Sequence, residues 1–267
     1  MTSRILIVGD PHAHPDYDND RFEWLGRYIV ATKPDHVVVM GDWGDIPSLN
    51  QHGKPIDKEG LRLRRDKEAL HDSLRRLEEP LAEHNRKMRA LRKRTYRPKS
   101  KVYLLGNHED RINKYEADHP ELMGELSAEW LDPFVQADWT IVPFKQTFTL
   151  EGYEFCHFQP SGTMGRPIGG KTGTALAQRL LGRHVSTVVG HDHRRGIASE
   201  LVGDTRRRIW GINAGCFVHL DYREGWCMQT EPMWDRGVLV LDSAREGDHS
   251  RHTWVTQEEL RRRYARE

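Results

Sequence analysis

The sequence predicts an α/β fold, and three observations lead to this prediction. Short apolar, β-branched runs are typical of strands buried on both faces. Helical stretches separate several of these runs, which indicates a layered core of sheets and helices. Polar side chains directly follow four of the runs, at the strand ends where α/β folds bind their ligands. These four runs are residues 5–8, 37–40, 102–105 and 185–189.

The elements follow in order along the chain. After the first strand, a helix is predicted for residues 21–32, ended by Pro34, and then a second strand for residues 36–40. Beyond Gly190 the pattern changes to strand-like runs with short turns, which predict antiparallel strands that close a second sheet. These runs are residues 197–202, 208–213 and 237–241.

The domain organisation is predicted to be simple. We expect one domain over residues 1–243 and a tail over residues 244–267 that packs on the same domain as a strand and a helix. The tail helix is predicted from the capping box that begins at Thr256.

A charged insert over about residues 51–101 separates the second strand from the third. Its leucines recur at helical spacing, and Pro80 predicts either a kink or a division into two helices. Residues 84–101 contain nine Lys or Arg and no acid. Three interpretations remain open: a solvated helix face, a basic arm that steers nucleic acid toward the site, and a helical contact in a homodimer.

Composition limits the class of protein. The chain has 267 residues, 37% hydrophobic and 30% charged, with a formal net charge of +1. It has no apolar stretch long enough to span a membrane, and its first residues do not resemble a secretory signal. Its three cysteines, Cys156, Cys216 and Cys227, lack C-x-x-C spacing, which argues against a disulfide framework and against a thiolate zinc site. We therefore expect a cytoplasmic protein without a membrane partner.

Five short motifs supply the side chains that a pair of divalent metal ions requires. Carboxylates, imidazoles and one carboxamide without sulfur favour Mn²⁺, with Fe or Zn²⁺ as alternatives. Asp42 is the candidate bridge, because two neighbouring cations need a shared carboxylate between them. The predicted metal ligands are Asp10, His12, Asp42, Asn107, His157, His191 and His193.

Other residues of these motifs are candidates for catalysis. A water held between two metal ions ionises near neutral pH and attacks phosphorus in line. His108 directly follows a ligand, so its ring should lie at the rim of the site and protonate the leaving oxygen. Asp45 is expected to hold that imidazole, while Arg111 and Asn107 are expected to contact the phosphate.

Each motif alone has an ordinary explanation. Asp42 or Asp45 suits a helix cap, Gly106 and Asn107 suit a turn, and single histidines usually satisfy local hydrogen bonds. Their joint occurrence, in order and after predicted strands, favours the metal site.

The motifs resemble those of the calcineurin-like metallophosphoesterases. The pattern of that family is D-x-H, G-D-x-x-D, G-N-H-[DE], H and G-H-x-H, and this chain matches every position between residues 10 and 193. The resemblance implies a four-layer αββα sandwich, here with a helical insertion, and His108 as the catalytic histidine. It implies one metal held by Asp10, His12, Asp42 and His193, and a second held by Asp42, Asn107, His157 and His191.

Departures from the pattern narrow the class. The phosphoprotein phosphatases have an arginine after the second aspartate of G-D-x-x-D, whereas Ile46 and Pro47 follow Asp45 here. The fourth motif is His157-Phe158, where His-Gly is frequent. The arrangement resembles small stand-alone phage and bacterial members that hydrolyse phosphodiesters.

Residues 165–172 also satisfy the P-loop expression G-x-x-x-x-G-K-[ST]. A true P-loop turns directly from a strand into a helix, whereas the strand expected at residues 153–157 ends well before Gly165. A loop near the metals, with Arg166 and Lys171 contacting substrate phosphate, is the favoured interpretation.

The leading functional prediction is a dinuclear-metal phosphodiesterase that acts on cyclic nucleotides or other small diesters. The alternatives are a DNA or RNA nuclease that uses the basic insert, a phosphomonoesterase, and a P-loop nucleotide-binding protein.

Overall fold

Two β-sheets pack face to face in the computed structural model, which describes residues 2–51, 55–203, 207–223 and 231–265. The strands of these residues are β1 (Ser3–Val8), β2 (His36–Val39), β3 (Ser100–Leu104), β4 (Thr140–Val142), β5 (Phe148–Leu150), β6 (Tyr153–Cys156), β7 (Pro160–Ser161), β8 (Arg166–Pro167), β9 (Ser186–Val189), β10 (Arg195–Val202), β11 (Arg207–Ala214), β12 (Gly237–Ala244) and β13 (Arg251–Thr256).

The first sheet has the order β13-β12-β1-β2-β3-β4, and the second has the order β10-β11-β9-β6-β5. Strands β1 to β4 run parallel to one another, as do β6, β9 and β11. Strands β7 and β8 form a separate two-stranded hairpin.

Helices cover the outer faces of both sheets. In the described residues they are α1 (Asp20–Thr32), α2 (Leu63–Ala90), α3 (Asp110–Asp118), α4 (Glu125–Gln136), α5 (Gly173–Leu180) and α6 (Gln257–Tyr264). The residues of α1, α2 and α4 that face the core share one apolar cluster with the first sheet, and α5 packs on the second sheet.

Alternation along β1 shows how the layers are specified. Ile5 and Ile7 point into the cluster between the two sheets, whereas Leu6 and Val8 point into the cluster beneath the helices. All four side chains are at most 1% exposed, because a parallel strand in this position is covered on both faces. The predicted α/β fold with four αββα layers is confirmed.

The sheet to which strand β12 belongs differs from the prediction. The pattern of residues 237–241 predicts a strand of the second sheet, but β12 pairs antiparallel with β1 and with β13 in the first. Val238 and Val240 face the helices, while Leu239 and Leu241 face the other sheet. A strand that is apolar on both faces fits a central position better than an edge.

The part of the insert that carries most of the leucine stripe forms one long helix. Of the two outcomes expected at Pro80, a kink or a division, the division does not occur, because α2 is continuous from Leu63 to Ala90. Burial of Leu70, Leu74 and Leu77 against the core offsets the roughly 3 kcal/mol that an internal proline costs. The leucine stripe is buried only over this part, since Leu91 is 60% exposed.

Helix α2 extends from one end of the first sheet to the other. Near its start, Asp66 accepts a hydrogen bond from the backbone N–H of Ser48, which follows β2. Beyond its end, Tyr96 donates to the carbonyl of Pro34 and Lys99 pairs with Asp35, both of which precede β2. The basic part of the insert therefore lies at the amino ends of the parallel strands.

Two further expectations concern the whole chain. Cys156 and Cys216 are buried free thiols, whereas Cys227 lies outside the described residues. No helix in the described ranges has the length and apolar character needed to cross a membrane.

We predict that the packing of α4 on the first sheet is a major source of stability. Phe134 is fully buried, with its ring 4.7 Å from that of Trp43 and 5.0 Å from that of Tyr103. Phe134→Ala should lower the free energy of unfolding in urea by about 3–5 kcal/mol. The adjacent Val135 is 57% exposed, so Val135→Ala should change it by less than about 0.5 kcal/mol. Equal effects of the two substitutions would contradict this packing.

Candidate metal centre

The predicted ligands meet at the carboxyl ends of parallel strands from both sheets. Asp10 and Asp42 follow β1 and β2, and Asn107 follows β3, all in the first sheet. His157 and His191 follow β6 and β9 in the second. The site therefore bridges the two sheets along one edge of the sandwich.

The backbone is strained where several ligands leave their strands. His12, Asp42, His191 and His193 all have positive φ angles, between 45° and 68°. Such conformations cost of order 1–3 kcal/mol each for residues with a Cβ and cluster at functional sites. Here they turn four side chains toward a common centre.

The first ligand group consists of Asp10, His12 and His193. One side-chain ligand atom from each lies within 4.8 Å of the others. His193 Nε2 is 3.2 Å from Asp10 Oδ2, which also accepts the backbone N–H of His191 at 2.6 Å. All three side chains are nearly or fully buried.

The second ligand group consists of Asp42, His157 and His191, again with ligand atoms within 4.8 Å. His157 donates from Nδ1 to the carbonyl of Met40 at 2.8 Å, which directs Nε2 into the site. His157 Nε2 lies 2.9 Å from the side-chain oxygen of Asn107, so this carboxamide joins the group.

Asp42 lies between the two groups. Its Oδ2 is 3.4 Å from His157 Nε2 in the second group and 3.8 Å from His12 Nε2 in the first. Its Oδ1 accepts the backbone N–H of His108 at 2.9 Å, which fixes the carboxylate. A carboxylate shared in this way suits the bridge between two cations.

Charge in the cluster favours bound cations. Burial lowers the pKa of His157, but the carboxylates of Asp42 and Asp10 outweigh it and raise the pKa to about 10. Burial and the neighbouring His157 lower the pKa of His191 to about 4. The carboxylates thus stabilise a positive charge at His157, which a bound cation would supply in place of the proton, while His191 is neutral, as a metal ligand must be.

Unpaired polar atoms give a test of whether metal ions fit here. Asp10 Oδ1 and His12 Nε2 are buried and have no hydrogen-bond partner within the part of the chain that the structure describes. Each unpaired buried group costs about 1–3 kcal/mol unless something satisfies it. Oxygen and imidazole nitrogen are ligands for Mn²⁺, Fe and Zn²⁺, so the residues fit divalent metal ions.

His108 lies beside this cluster with two of its predicted companions. Its Nδ1 donates to the carbonyl of Asp45 at 2.7 Å and lies 3.0 Å from Asp45 Oδ1. Arg111 donates to the same carbonyl at 2.7 Å, and its Nη2 lies 3.1 Å from His108 Nε2. The ring is buried, with His108 only 6% exposed, and one of its nitrogens forms a further group of possible ligand atoms with His12 and Asp42.

Asp45 has more partners than the sequence predicts. Its Oδ1 is 2.8 Å from His12 Nδ1, so it orients a ligand of the first group as well as His108. Tyr222 donates to its Oδ2 at 3.1 Å, and His14 Nε2 lies 3.6 Å from the same oxygen. Sequence reasoning missed Tyr222 and His14; the only signal for His14 was its place two residues after a ligand.

The loop with the P-loop expression does not turn from a strand into a helix. Between β6 and α5, all of which the structure describes, the hairpin of β7 and β8 intervenes. Arg166 and Lys171 are exposed on this loop. Arg194 anchors it by donating to the carbonyl oxygens of Lys171 and Gly170 at 2.8 and 2.9 Å.

The chain is similar to known proteins in sequence and in structure. It is 23% identical over 258 residues to the Gene 54 protein of Mycobacterium phage L5, in a match that covers 90% of this chain and 89% of that protein. The crystal structure of TT1561 of Thermus thermophilus aligns over 96% of this chain and 100% of that one, with 12% identity and a TM-score of 0.38. The profile of the calcineurin-like phosphoesterases matches residues 3–195, well over half of the chain. The protein therefore belongs to the calcineurin-like phosphoesterase family.

Proposed function

We propose that the protein is a phosphodiesterase that uses two divalent metal ions, of which Mn²⁺ suits the ligands best, to hydrolyse small phosphodiesters such as cyclic nucleotides. The observation that carries the proposal is the position of Asp42 between two groups of ligand atoms. When bound, two metal ions would polarise the phosphoryl oxygens and lower the pKa of a bound water. His12 and His193 with Asp10 would hold one ion, and His157, His191 and Asn107 the other.

His108 is the group that moves a proton in this proposal. Burial and the charge of Arg111 lower the pKa of His108, but the charge of Asp42 and the hydrogen bond to Asp45 outweigh them, so the pKa is raised and the protonated ring is stabilised. With Nδ1 donating to Asp45, the second N–H is at Nε2, on the side of Asp42 and Arg111. A leaving oxygen at that side would receive the proton from Nε2.

Arg111 supports the same role. Its guanidinium donates to the carbonyls of Asp45 and Ile46, which holds it beside His108. Once Nε2 of His108 carries a proton, it no longer accepts a hydrogen bond from Arg111. The Nη2–H of Arg111 then becomes available to a phosphoryl oxygen. Arg111 lies beside His108, whereas Ile46 takes the place of the arginine that the phosphoprotein phosphatases have after the second aspartate. The lack of that arginine favours a monoanionic diester over a dianionic monoester.

The position of the basic segment favours a small substrate over nucleic acid. Arg92, Lys93 and Arg94 are exposed beyond the end of α2, at the amino ends of strands whose carboxyl ends hold the ligands. A strand bound at the metal centre would have to extend along the whole length of the parallel strands to reach them. The free thiols of Cys156 and Cys216 support the further proposal that the protein acts in the reducing cytoplasm.

We predict that Asp42→Ala abolishes the paired metal site. Metal-stripped protein supplied with Mn²⁺ should bind two ions per chain and hydrolyse diesters faster than the matched monoesters. Asp42→Ala should bind fewer ions by elemental analysis and lose at least about 100-fold in kcat/KM, more than a residue beside the ligands would cost. Asp132→Ala, which removes an exposed carboxylate on α4, is the matched control. Two ions retained by Asp42→Ala would refute the bridge, and a clear preference for monoesters would refute the diesterase proposal.

We predict a different result for His108→Ala. This variant should keep two metal ions and lose roughly 10²–10⁴-fold in kcat on alkyl diesters, whose leaving oxygens need a proton. The loss should be much smaller with p-nitrophenyl esters, whose leaving group departs as an anion. The slope of log kcat against the pKa of the leaving group therefore becomes steeper than in the parent protein. An unchanged slope with reduced metal content would show that His108 is a ligand and not an acid.

We predict that the basic segment does not contribute to diester turnover. The triple variant Arg92→Ala, Lys93→Ala and Arg94→Ala should keep kcat/KM for small diesters within about two-fold, because surface charges at that distance are largely screened. The same variant should be assayed on single-stranded DNA and RNA at two salt concentrations. Selective loss of strand cleavage, with small diesters unaffected, would instead support a nuclease that binds its substrate through this segment.

A further inference from the structure

A mostly apolar cavity of about 190 Å³ opens beside the second ligand group. His191 forms part of its wall, so the cavity adjoins the place where a phosphoryl group would bind. Its floor is built by Leu176 and Leu180 of α5 and by Val189 of β9, all at most 2% exposed. The floor is therefore part of the rigid core.

An aromatic side chain forms the wall nearest the metal ligands. The ring of Phe158 lies 5.2 Å from that of His191, 5.8 Å from that of His157 and 5.6 Å from that of Phe144. Phe158 directly follows His157, at a position where glycine is frequent in the family. A glycine at this position would leave the cavity without this wall.

The outer wall comes from the loop with the P-loop expression. Pro167, Ile168 and Gly169 line the cavity, and the backbone N–H of Ile168 donates to the carbonyl of Gln159 at 2.8 Å. Arg179 donates to the carbonyl of Gly169, and Arg194 holds the next two residues. These bonds fix the loop over the cavity before any substrate arrives.

We propose that this cavity binds a planar aromatic ring carried by an ester group of the substrate, with its phosphoryl group at the metal centre. The proposal rests on the phosphodiesterase function and adds the substrate class to it. An apolar cavity of about 150 Å³ is enough to bind benzene, so this one accommodates a single ring system. The exposed face of Phe158 is a platform for offset stacking, and Gln159 and Asp192 offer polar groups at the edge.

An aryl group and a nucleobase are both planar aromatic rings that could stack on Phe158, and the experiment distinguishes between them. Dissociation constants of methyl phosphate, phenyl phosphate and thymidine 5′-phosphate are measured by calorimetry on Mn²⁺-loaded protein. These monoesters correspond to products of diester hydrolysis, so they report binding whichever ester oxygen leaves. Phosphate release measured on the same samples shows whether turnover contributes to the heat. We expect the ring-bearing monoesters to bind roughly 10-fold more tightly than methyl phosphate, the usual worth of an aromatic stacking partner. Tighter binding of thymidine 5′-phosphate than of phenyl phosphate identifies a nucleobase, and the reverse order identifies an aryl group.

Two variants remove the cavity in opposite ways. Phe158→Ala deletes the stacking wall and Ile168→Trp fills the space, so each should bring the ratio of ring-bearing to methyl affinity close to one. Met164→Ala is the matched control, because Met164 is on the same loop and 75% exposed. The methyl phosphate constant in each variant reports whether the metal centre is intact.

The outcomes separate this inference from the proposed function. Diester hydrolysis with equal affinity for methyl and ring-bearing monoesters, or a ratio that survives both substitutions, overturns the ring-binding cavity and leaves the phosphodiesterase in place. A normal ratio in a protein that hydrolyses no diester overturns the phosphodiesterase and leaves the cavity as a binding site for aromatic phosphates.

Discussion

The buried carboxylate of Glu109 is the constraint on which the rest of the metal centre depends. Its Oε2 accepts the backbone N–H groups of Gly106 and Asp42 at 2.7 and 3.0 Å, and its Oε1 accepts that of Gly44 at 3.1 Å. One side chain thus ties the loop after β3 to the loop after β2. Burial and the nearby charge of Asp42 raise the pKa of Glu109. This electrostatic cost comes with holding Asp42, the proposed bridge, in a strained conformation with a φ of 48°.

Close backbone approach limits what can occupy the positions around this carboxylate. A Cβ on Gly106 would lie 2.0 Å from Asp42 Oδ1, and one on Gly190 would lie 2.5 Å from Asp10 Oδ1. Both carboxylates therefore pack directly against the backbone of another motif. Only glycine fits at these two positions, because a side chain on Gly106 would displace the carboxylate of Asp42 and one on Gly190 would displace that of Asp10.

Local patterns in the sequence predicted the strands of the site and the residues at their ends. The strand before each motif and the helix α1 begin and end within two residues of the predicted bounds. What the sequence could not predict depends on distant pairing. The placement of β12 in the first sheet required knowing its partners β1 and β13, since an apolar strand fits either sheet. Tyr222 reaches Asp45 across 177 residues, and no local period reports such a contact.

Asp45 contacts two side chains to which the sequence assigns different roles, the predicted metal ligand His12 and the predicted acid His108. Its Oδ1 lies 2.8 Å from His12 Nδ1 and 3.0 Å from His108 Nδ1, so the same oxygen orients a metal ligand and the proposed acid. Tyr222 and His14 approach its other oxygen. Groups that share one hydrogen-bonding partner are not energetically independent, and the effects of removing them do not add. We therefore expect a change at Asp45 to affect both His12, the proposed metal ligand, and His108, the proposed acid. The two contributions can be separated only by substituting His12 and His108 themselves.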